Sequence, residues 1–478
     1  MKNLIKKFIE FALGNGIVLL LGFISSPIIT RIISPSEFGK FSMFNTITNL
    51  LLLILMLGLD QAYIRFFYEE SLEARKKLLK VCFEIPLTVN IIVSIILVIF
   101  FKLISKFIIG EYSIIIVIMI IIQNTFNIIG RFTLLILRVK QNGKMFSLIQ
   151  VITKSIYIAS VLILFKFFGN NYKTLIYSIV ISNVISVIIA LILEKEEWIK
   201  HDLKIKMNIS KKELLKYGIP LVFSMAITWI FQSIDKIFIS IFNGYVELGL
   251  YSSAFSIIAL LNAFQGTFTT FWIPIANQRY QENKKNKNFF SKVNAIISLI
   301  MIIIAILIIT FKDILILLLG EKYRNSSFIF PFMVFMPVMY TISETTVLGI
   351  NFMKKTQYHI IIAIVVAGAN VLGNFLLVPI LAAKGAAIST GISYIIFFSI
   401  RTFISKRVYN VNYNLKQIYI CLSVLGCLAT YASFKNSDVN LIILGFASII
   451  ITLFVYRFVL IEFWTKFKKY YFKNRYYS

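Results

Sequence analysis

The chain has 478 residues, 59% of them hydrophobic and only 15% charged, with a mean hydropathy of +0.85. Soluble domains are about half apolar and about one quarter charged, and no long polar stretch is present, so a water-soluble enzyme is excluded. The net charge of +28 would suggest nucleic acid in a soluble protein, but here the basic residues sit in short loops between apolar runs, where they set membrane orientation.

A membrane-spanning helix needs roughly 20 apolar residues. Apolar runs broken by charge, glycine or proline predict fourteen of them. The first, 11–33, follows Lys2, Lys6 and Lys7. No small-residue cleavage site follows it, so it reads as a retained helix and not as a signal peptide. Runs 41–60, 80–101, 112–137, 147–168 and 173–193 complete a first set of six. Runs 213–242, 248–276, 291–311, 325–351, 357–377 and 384–405 form a second six, and 416–434 and 439–461 a final pair. The expectation is an all-α integral membrane protein of about fourteen transmembrane helices. Its parts are an N-terminal six-helix lobe (1–200), a C-terminal six-helix lobe (201–410), and an additional helix pair with a basic tail (411–478). Pro27, Pro86, Pro220, Pro274, Pro331 and Pro337 lie within or at the ends of runs, where proline bends a helix.

With the N-terminus inside, about 33 basic loop residues fall on the inner side and about 11 on the outer. This bias satisfies the positive-inside rule and places both termini in the cytoplasm. The tail KFKKYYFKNRYY mixes basic and aromatic residues. Directly after a span, it reads as a segment lying on anionic lipid and not as a nucleic-acid binder. A short echo links Glu37-Phe38-Gly39-Lys40-Phe41-Ser42 to Glu247-Leu248-Gly249-Leu250-Tyr251-Ser252. The offset is six spans, an even number, which predicts that the two lobes are parallel repeats.

Polar residues recur at helical spacing inside the runs. Gln123, Asn127 and Arg131 share one face of the fourth, with Asn124 beside them; Gln150, Lys154 and Tyr157 share one face of the fifth. Ser224, Thr228, Gln232 and Lys236 form a stripe in the seventh, flanked by Asp235. The eighth carries Asn262, Gln265 and Thr269, and the eleventh Asn370 and Asn374. Polar stripes facing lipid are costly, so they are expected to face protein or a wet cavity. Each stripe alone can equally serve to hydrogen-bond helices together; five of them favour a shared hydrated cavity. The candidate lining is Arg131, Lys154, Lys236, Gln123, Asn127, Gln232, Asn262 and Gln265. Glu344 falls near the membrane midplane, where a bare carboxylate must be neutral, paired or hydrated; it and Asp235 are candidates for ion coupling. Asp60 and Glu84 sit near the inner boundary and read as interfacial.

Cys82, Cys421 and Cys427 form no CxxC pair, and His201 and His359 are the only histidines, so neither a disulfide framework nor a metal centre is expected. No catalytic motif appears, and no cofactor is expected beyond a coupling H+ or Na+. A membrane glycan polymerase, ligase or acyltransferase would need larger external loops than these.

The stretch from Phe11 to Glu70 contains Ile32-Ile33-Ser34-Pro35-Ser36-Glu37-Phe38-Gly39-Lys40-Phe41-Ser42 and Gly58-Leu59-Asp60-Gln61-Ala62-Tyr63-Ile64-Arg65-Phe66. With Ser233-Ile234-Asp235-Lys236, Val246–Ser252 and Gly385-Ala386-Ala387-Ile388-Ser389-Thr390, it resembles the Wzx-type polysaccharide-unit flippases of the multidrug/oligosaccharidyl-lipid/polysaccharide (MOP) exporter superfamily. That resemblance implies two six-helix lobes around a cavity opening alternately to either side of the bacterial inner membrane. It implies a carrier, not an enzyme, for undecaprenyl-diphosphate-linked oligosaccharide in O-antigen or capsule assembly. Membrane lipids and other polysaccharide-assembly proteins would be its partners, with no nucleic acid. A multidrug exporter of the same superfamily would want acidic cavity residues to hold cations, against Arg131 and Lys154. A peptidoglycan-precursor flippase stays open as a close relative.

Overall fold

Between its end turns a helix satisfies its backbone N–H and C=O groups within its own segment, which lipid requires of an isolated span. The computed structural model of the chain describes residues 2–199, 207–436, 438–462 and 464–465, and all its elements among these residues are helical. His201 and the basic tail from Lys466 lie outside the described residues. The chain divides into two compact units, Met1–Ser252 and Ser253–Ser478, where the sequence reading draws boundaries at 200/201 and 410/411.

The first unit contains α1 (Lys2–Ile32), α2 (Pro35–Leu55), α3 (Leu59–Phe66), α4 (Ala74–Ile99), α5 (Phe101–Ile109), α6 (Ile114–Val139), α7 (Gly143–Phe168), α8 (Tyr172–Leu193), α9 (Lys195–Ile199), α10 (Lys211–Phe242) and the opening turns of α11 (Gly244–Glu282). Its boundary runs past residue 200 because α10 packs on α2 and α3. The buried core here joins Leu55 and Leu59 to Leu78, Cys82, Phe132, Ile136 and Leu214. Around it α1 lies on α7, and α8 on both α6 and α7.

The second unit holds the rest of α11, then α12 (Lys287–Thr310), α13 (Lys312–Ile316), a 3-10 helix (Glu321–Phe328), α14 (Phe330–Met333), α15 (Phe335–Thr346), α16 (Leu348–Phe352), α17 (Gln357–Val408), α18 (Leu415–Phe434) and α19 (Val439–Val455). Here α15 packs on α17, while α12 meets α15, α18 and α19. At the Pro331 run the 3-10 helix and the following α14–α15 segment are bent by 57°, as proline at a helix start disrupts continuity. At 52 residues α17 would extend about 78 Å at 1.5 Å per residue, far beyond a bilayer core. It breaks at Ala382, whose φ of 51° and ψ of −136° lie outside the helical region. Its two halves then bond side by side: the Ser389 hydroxyl donates to the Asn370 carbonyl at 3.0 Å, and Asn374 Nδ2 to Ser389 at 3.3 Å.

Each of the fourteen predicted runs falls on a helix or a broken helix. Among the described residues nine helices are long and apolar enough to cross a membrane, or up to eleven if each of two bent pairs is one span. Gly16–Ile32 and Val439–Val455 are shorter apolar helices.

The echoed segments meet. The hydroxyls of Ser42 and Ser252, equivalent positions 210 residues apart, lie 2.6 Å from one another. A Cβ on Gly39 would collide with the carbonyl of Tyr245 and crowd the amide of its own equivalent, Gly249; one on Gly249 would collide with the carbonyl of Pro35. A residue that touches its own repeat equivalent sits on a local two-fold axis, by the same logic as an isologous interface. Glu37 also accepts the backbone N–H of Tyr172 at the start of α8 at 2.8 Å, a favourable site for a carboxylate. Gly39→Ala is therefore expected to destabilise the protein by about 2 kcal/mol or more through overpacking. Gly426, which has open space around a would-be Cβ, should gain up to about 1 kcal/mol as alanine. Thermal unfolding of the two purified variants checks the contrast, and equal shifts would contradict the close crossing.

Candidate ligand cavity

Three helices of the first unit bring polar faces together because each repeats its polar residues every three or four positions. The face of α6 carries Asn127 and Arg131, that of α7 carries Gln150, Lys154 and Tyr157, and that of α8 carries Ser182, Asn183 and Ser186. With α1 and α2, they enclose a cavity of about 640 Å³.

Asn183 Nδ2 donates to Asn127 Oδ1 at 2.9 Å. Gln123, just behind and buried, accepts from Asn183 Nδ2 through its backbone carbonyl at 3.4 Å, and its side-chain Nε2 donates to Asn127 Oδ1 at 3.5 Å. This amide cluster, continued by Ser182 and Ser186, offers both donors and acceptors. Basic groups share these helix faces, Arg131 one turn from Asn127 on α6 and Lys154 one turn from Gln150 on α7. Lys154 places its Nζ 4.9 Å from the ring centroid of Tyr157, a cation–π contact, and no ion pair is found for it among the described residues. Arg131, 47% exposed at its side chain, meets the buried carboxylate of Asp60 at 2.9 Å.

Asp60 reaches this position through a sharp turn. Leu57 and Gly58 adopt φ of 47° and 70° in succession, ending α2 and starting α3. A side chain at Gly58 would collide with the carbonyl of Gly218 on α10, so both the turn and the close approach call for glycine. Asp60 then falls in the first turn of α3, 3% exposed, with Gln61 Nε2 donating to its Oδ2 at 3.0 Å.

The other predicted residues lie elsewhere. Gln232 is exposed and Lys236 half-buried on α10, and neither lines this cavity. Asp235, 3% exposed, accepts a 2.5 Å hydrogen bond from the Tyr251 hydroxyl. Asn262 and Gln265 lie on α11, also away from the cavity. Glu344, 3% exposed on α15, is paired: Arg401 Nη1 on α17 donates to its Oε1 at 2.8 Å and to the Ser343 hydroxyl at 2.6 Å. The Arg401 guanidinium also sits 5.0 Å from the Phe397 ring centroid.

Sequence reasoning missed Asn183, Ser182, Ser186 and Thr153 as lining, although Ser182, Asn183 and Ser186 have the spacing of a helix face. It read Asp60 as interfacial and assigned no role to Arg401 or Lys312. Instead Asp60 and Arg401 are buried in ion pairs. Lys312, with no exposed surface, holds its Nζ 4.2 Å from the Phe328 ring centroid. No cluster of three or more His, Cys, Asp or Glu suited to a metal occurs among the described residues. Cys82, Cys421 and Cys427 are free thiols.

Residues 4–278 match the sequence model of a family described as polysaccharide biosynthesis protein. No curated protein matches the chain. Among solved structures, the lipid II flippase MurJ in an inward closed conformation superposes with a TM-score of 0.70 at 18% identity, covering 96% of this chain and 99% of that one. An inward-facing multidrug resistance MATE family transporter of the MOP superfamily gives 0.53 at 13% identity, covering 81% and 94%. A MATE crystal structure in complex with MaD3S gives 0.53 at 14% identity, covering 84% and 95%.

Proposed function

The chain belongs to the polysaccharide biosynthesis protein family, and on that premise we propose that it is a flippase. It carries undecaprenyl-diphosphate-linked oligosaccharide units from the cytoplasmic to the outer leaflet of the bacterial inner membrane by alternating access, for surface polysaccharide assembly. The observation that carries this reading is the cavity of the first unit, which brings Arg131 and Lys154 into one lining with amides and hydroxyls inside membrane-spanning helices. A diphosphate is an anion, and basic groups in a low-dielectric chamber attract it strongly. Amides that both donate and accept suit sugar hydroxyls, and the polyprenyl tail can stay in lipid. An organic cation would find the wrong charge there.

Translocation itself breaks no bond, so in this reading the chain acts as a carrier and not as an enzyme. Both termini face the cytoplasm in this reading, and the partners are the lipid-linked oligosaccharide, membrane lipids and other polysaccharide-assembly proteins. Coupling to H+ or Na+ is assigned to Asp235; Glu344 has its charge already matched by Arg401.

The test uses vesicles holding the purified full chain and a fluorescent undecaprenyl-diphosphate oligosaccharide. A membrane-impermeant reductant bleaches only the outer leaflet. Protein-containing vesicles should lose nearly all the signal, while protein-free vesicles lose about half. Equal bleaching in both would sink the flippase reading.

A further inference from the structure

Arg131 does not enter the cavity as a free cation. Its Nε and Nη2 both donate to one oxygen of Asp60, at 3.2 and 2.9 Å, so the Nε–Nη2 edge of the guanidinium is occupied. Nη1 has no partner among the described residues, and Arg131 lines the cavity. The carboxylate itself is buried, fixed by the first turn of α3 and by Gln61. The guanidinium is planar and forked, so a carboxylate held against one edge determines where the remaining N–H groups point. It also offsets the charge: with Arg131 matched by Asp60, the cavity holds one uncompensated cation among the described residues, Lys154, where it would otherwise hold two.

Building on the anion reading of the cavity, we propose that Asp60 is a positioning residue and internal counter-anion for the phosphate site. It holds Arg131 by one edge, presents Nη1 to the ligand, and weakens the hold on the phosphate enough for release. A carrier needs such a balance, because a ligand bound too tightly on one side of the membrane does not leave on the other. Lys154 then supplies most of the net attraction, and Arg131 directional hydrogen bonds.

Asp60→Asn separates position from charge. The amide oxygen of asparagine still accepts from Arg131, while the negative charge is gone. The full chain in phosphatidylcholine vesicles, titrated with inorganic pyrophosphate, should show about tenfold tighter binding in D60N than in wild type, about 1.4 kcal/mol. Its binding should depend more steeply on salt, and transport of the lipid-linked substrate should show a lower KM together with a lower turnover. A merely structural role predicts no gain in affinity. R131K keeps the charge but has no edge to hold and should bind pyrophosphate about tenfold more weakly; it decides the positioning claim if D60N fails to fold. Wild type that binds pyrophosphate in an Arg131- and Lys154-dependent way, with D60N no tighter or R131K unchanged, overturns the Asp60 proposal and leaves the cavity reading standing. Pyrophosphate binding that is absent, or indifferent to K154A and R131A, overturns the cavity reading and this proposal with it.

Discussion

Lys154→Ala is expected to reduce export of surface polysaccharide at least tenfold while leaving the amount of protein in the membrane unchanged. The residue lines the cavity without a carboxylate partner among the described residues, so its removal leaves no buried charge behind. The loss is therefore one of ligand binding. A hydrogen bond to a charged group contributes about 1.5–3 kcal/mol, which corresponds to roughly a ten- to 150-fold weakening. Lys154→Arg retains the charge and should keep most of the activity. Arg131→Ala is a less clean probe, because it strips Asp60 of its partner as well as the ligand of its contact. Surface polysaccharide measured by immunoblot in a strain lacking its own transporter, normalised to membrane protein, separates these cases. Full export by Lys154→Ala would remove that residue from the site.

The second large effect concerns stability in the second unit. Glu344 and Arg401 are 3% and 8% exposed at their side chains and 2.8 Å apart, and Arg401 Nε has no hydrogen-bond partner among the described residues. Removing one member of such a pair leaves an uncompensated buried charge and costs about 3–5 kcal/mol. Arg401→Ala and Glu344→Ala should each lower the midpoint of thermal unfolding in detergent sharply. The double variant Glu344→Leu/Arg401→Met, apolar at both positions, should recover a large part of that loss, since paired charges and well-packed apolar groups are often of similar stability. Strict additivity of the two single effects would show that the pair does not interact. Glu344→Gln adds a functional readout: an unaltered ion dependence of transport fits a counter-ion for Arg401, and an altered one would return Glu344 to the coupling machinery.

Much of the helical frame was legible in the chain alone. The run 147–168 anticipated α7 closely and 173–193 anticipated α8 within a residue at its N-terminal end, because length and apolarity of a span are local properties that the bilayer imposes. The stripe Gln150, Lys154, Tyr157 was visible for the same reason, and all three residues line the cavity. The six-residue echo was visible too, but not that Ser42 would touch Ser252. Ends were less legible. The second run was drawn from 41 to 60, whereas α2 begins at Pro35 and stops at Leu55; hydropathy does not register the left-handed pair Leu57–Gly58 that turns the chain there.

Composition, charge placement and the period of polar residues thus settled by themselves that this is a multi-pass helical membrane protein with basic and amide faces inside its spans. Which faces share one chamber was decided only by packing, since a helix's polar stripe says where it points relative to its own axis and nothing of the neighbour it meets. Asn183 reaches Asn127 from 56 residues away, Asp60 reaches Arg131 from 71, and Arg401 reaches Glu344 from 57. In one dimension Asp60 and Arg401 look like charges at a membrane boundary. They are buried because each finds an opposite charge within hydrogen-bonding distance, and that compensation exists only once the helices are assembled.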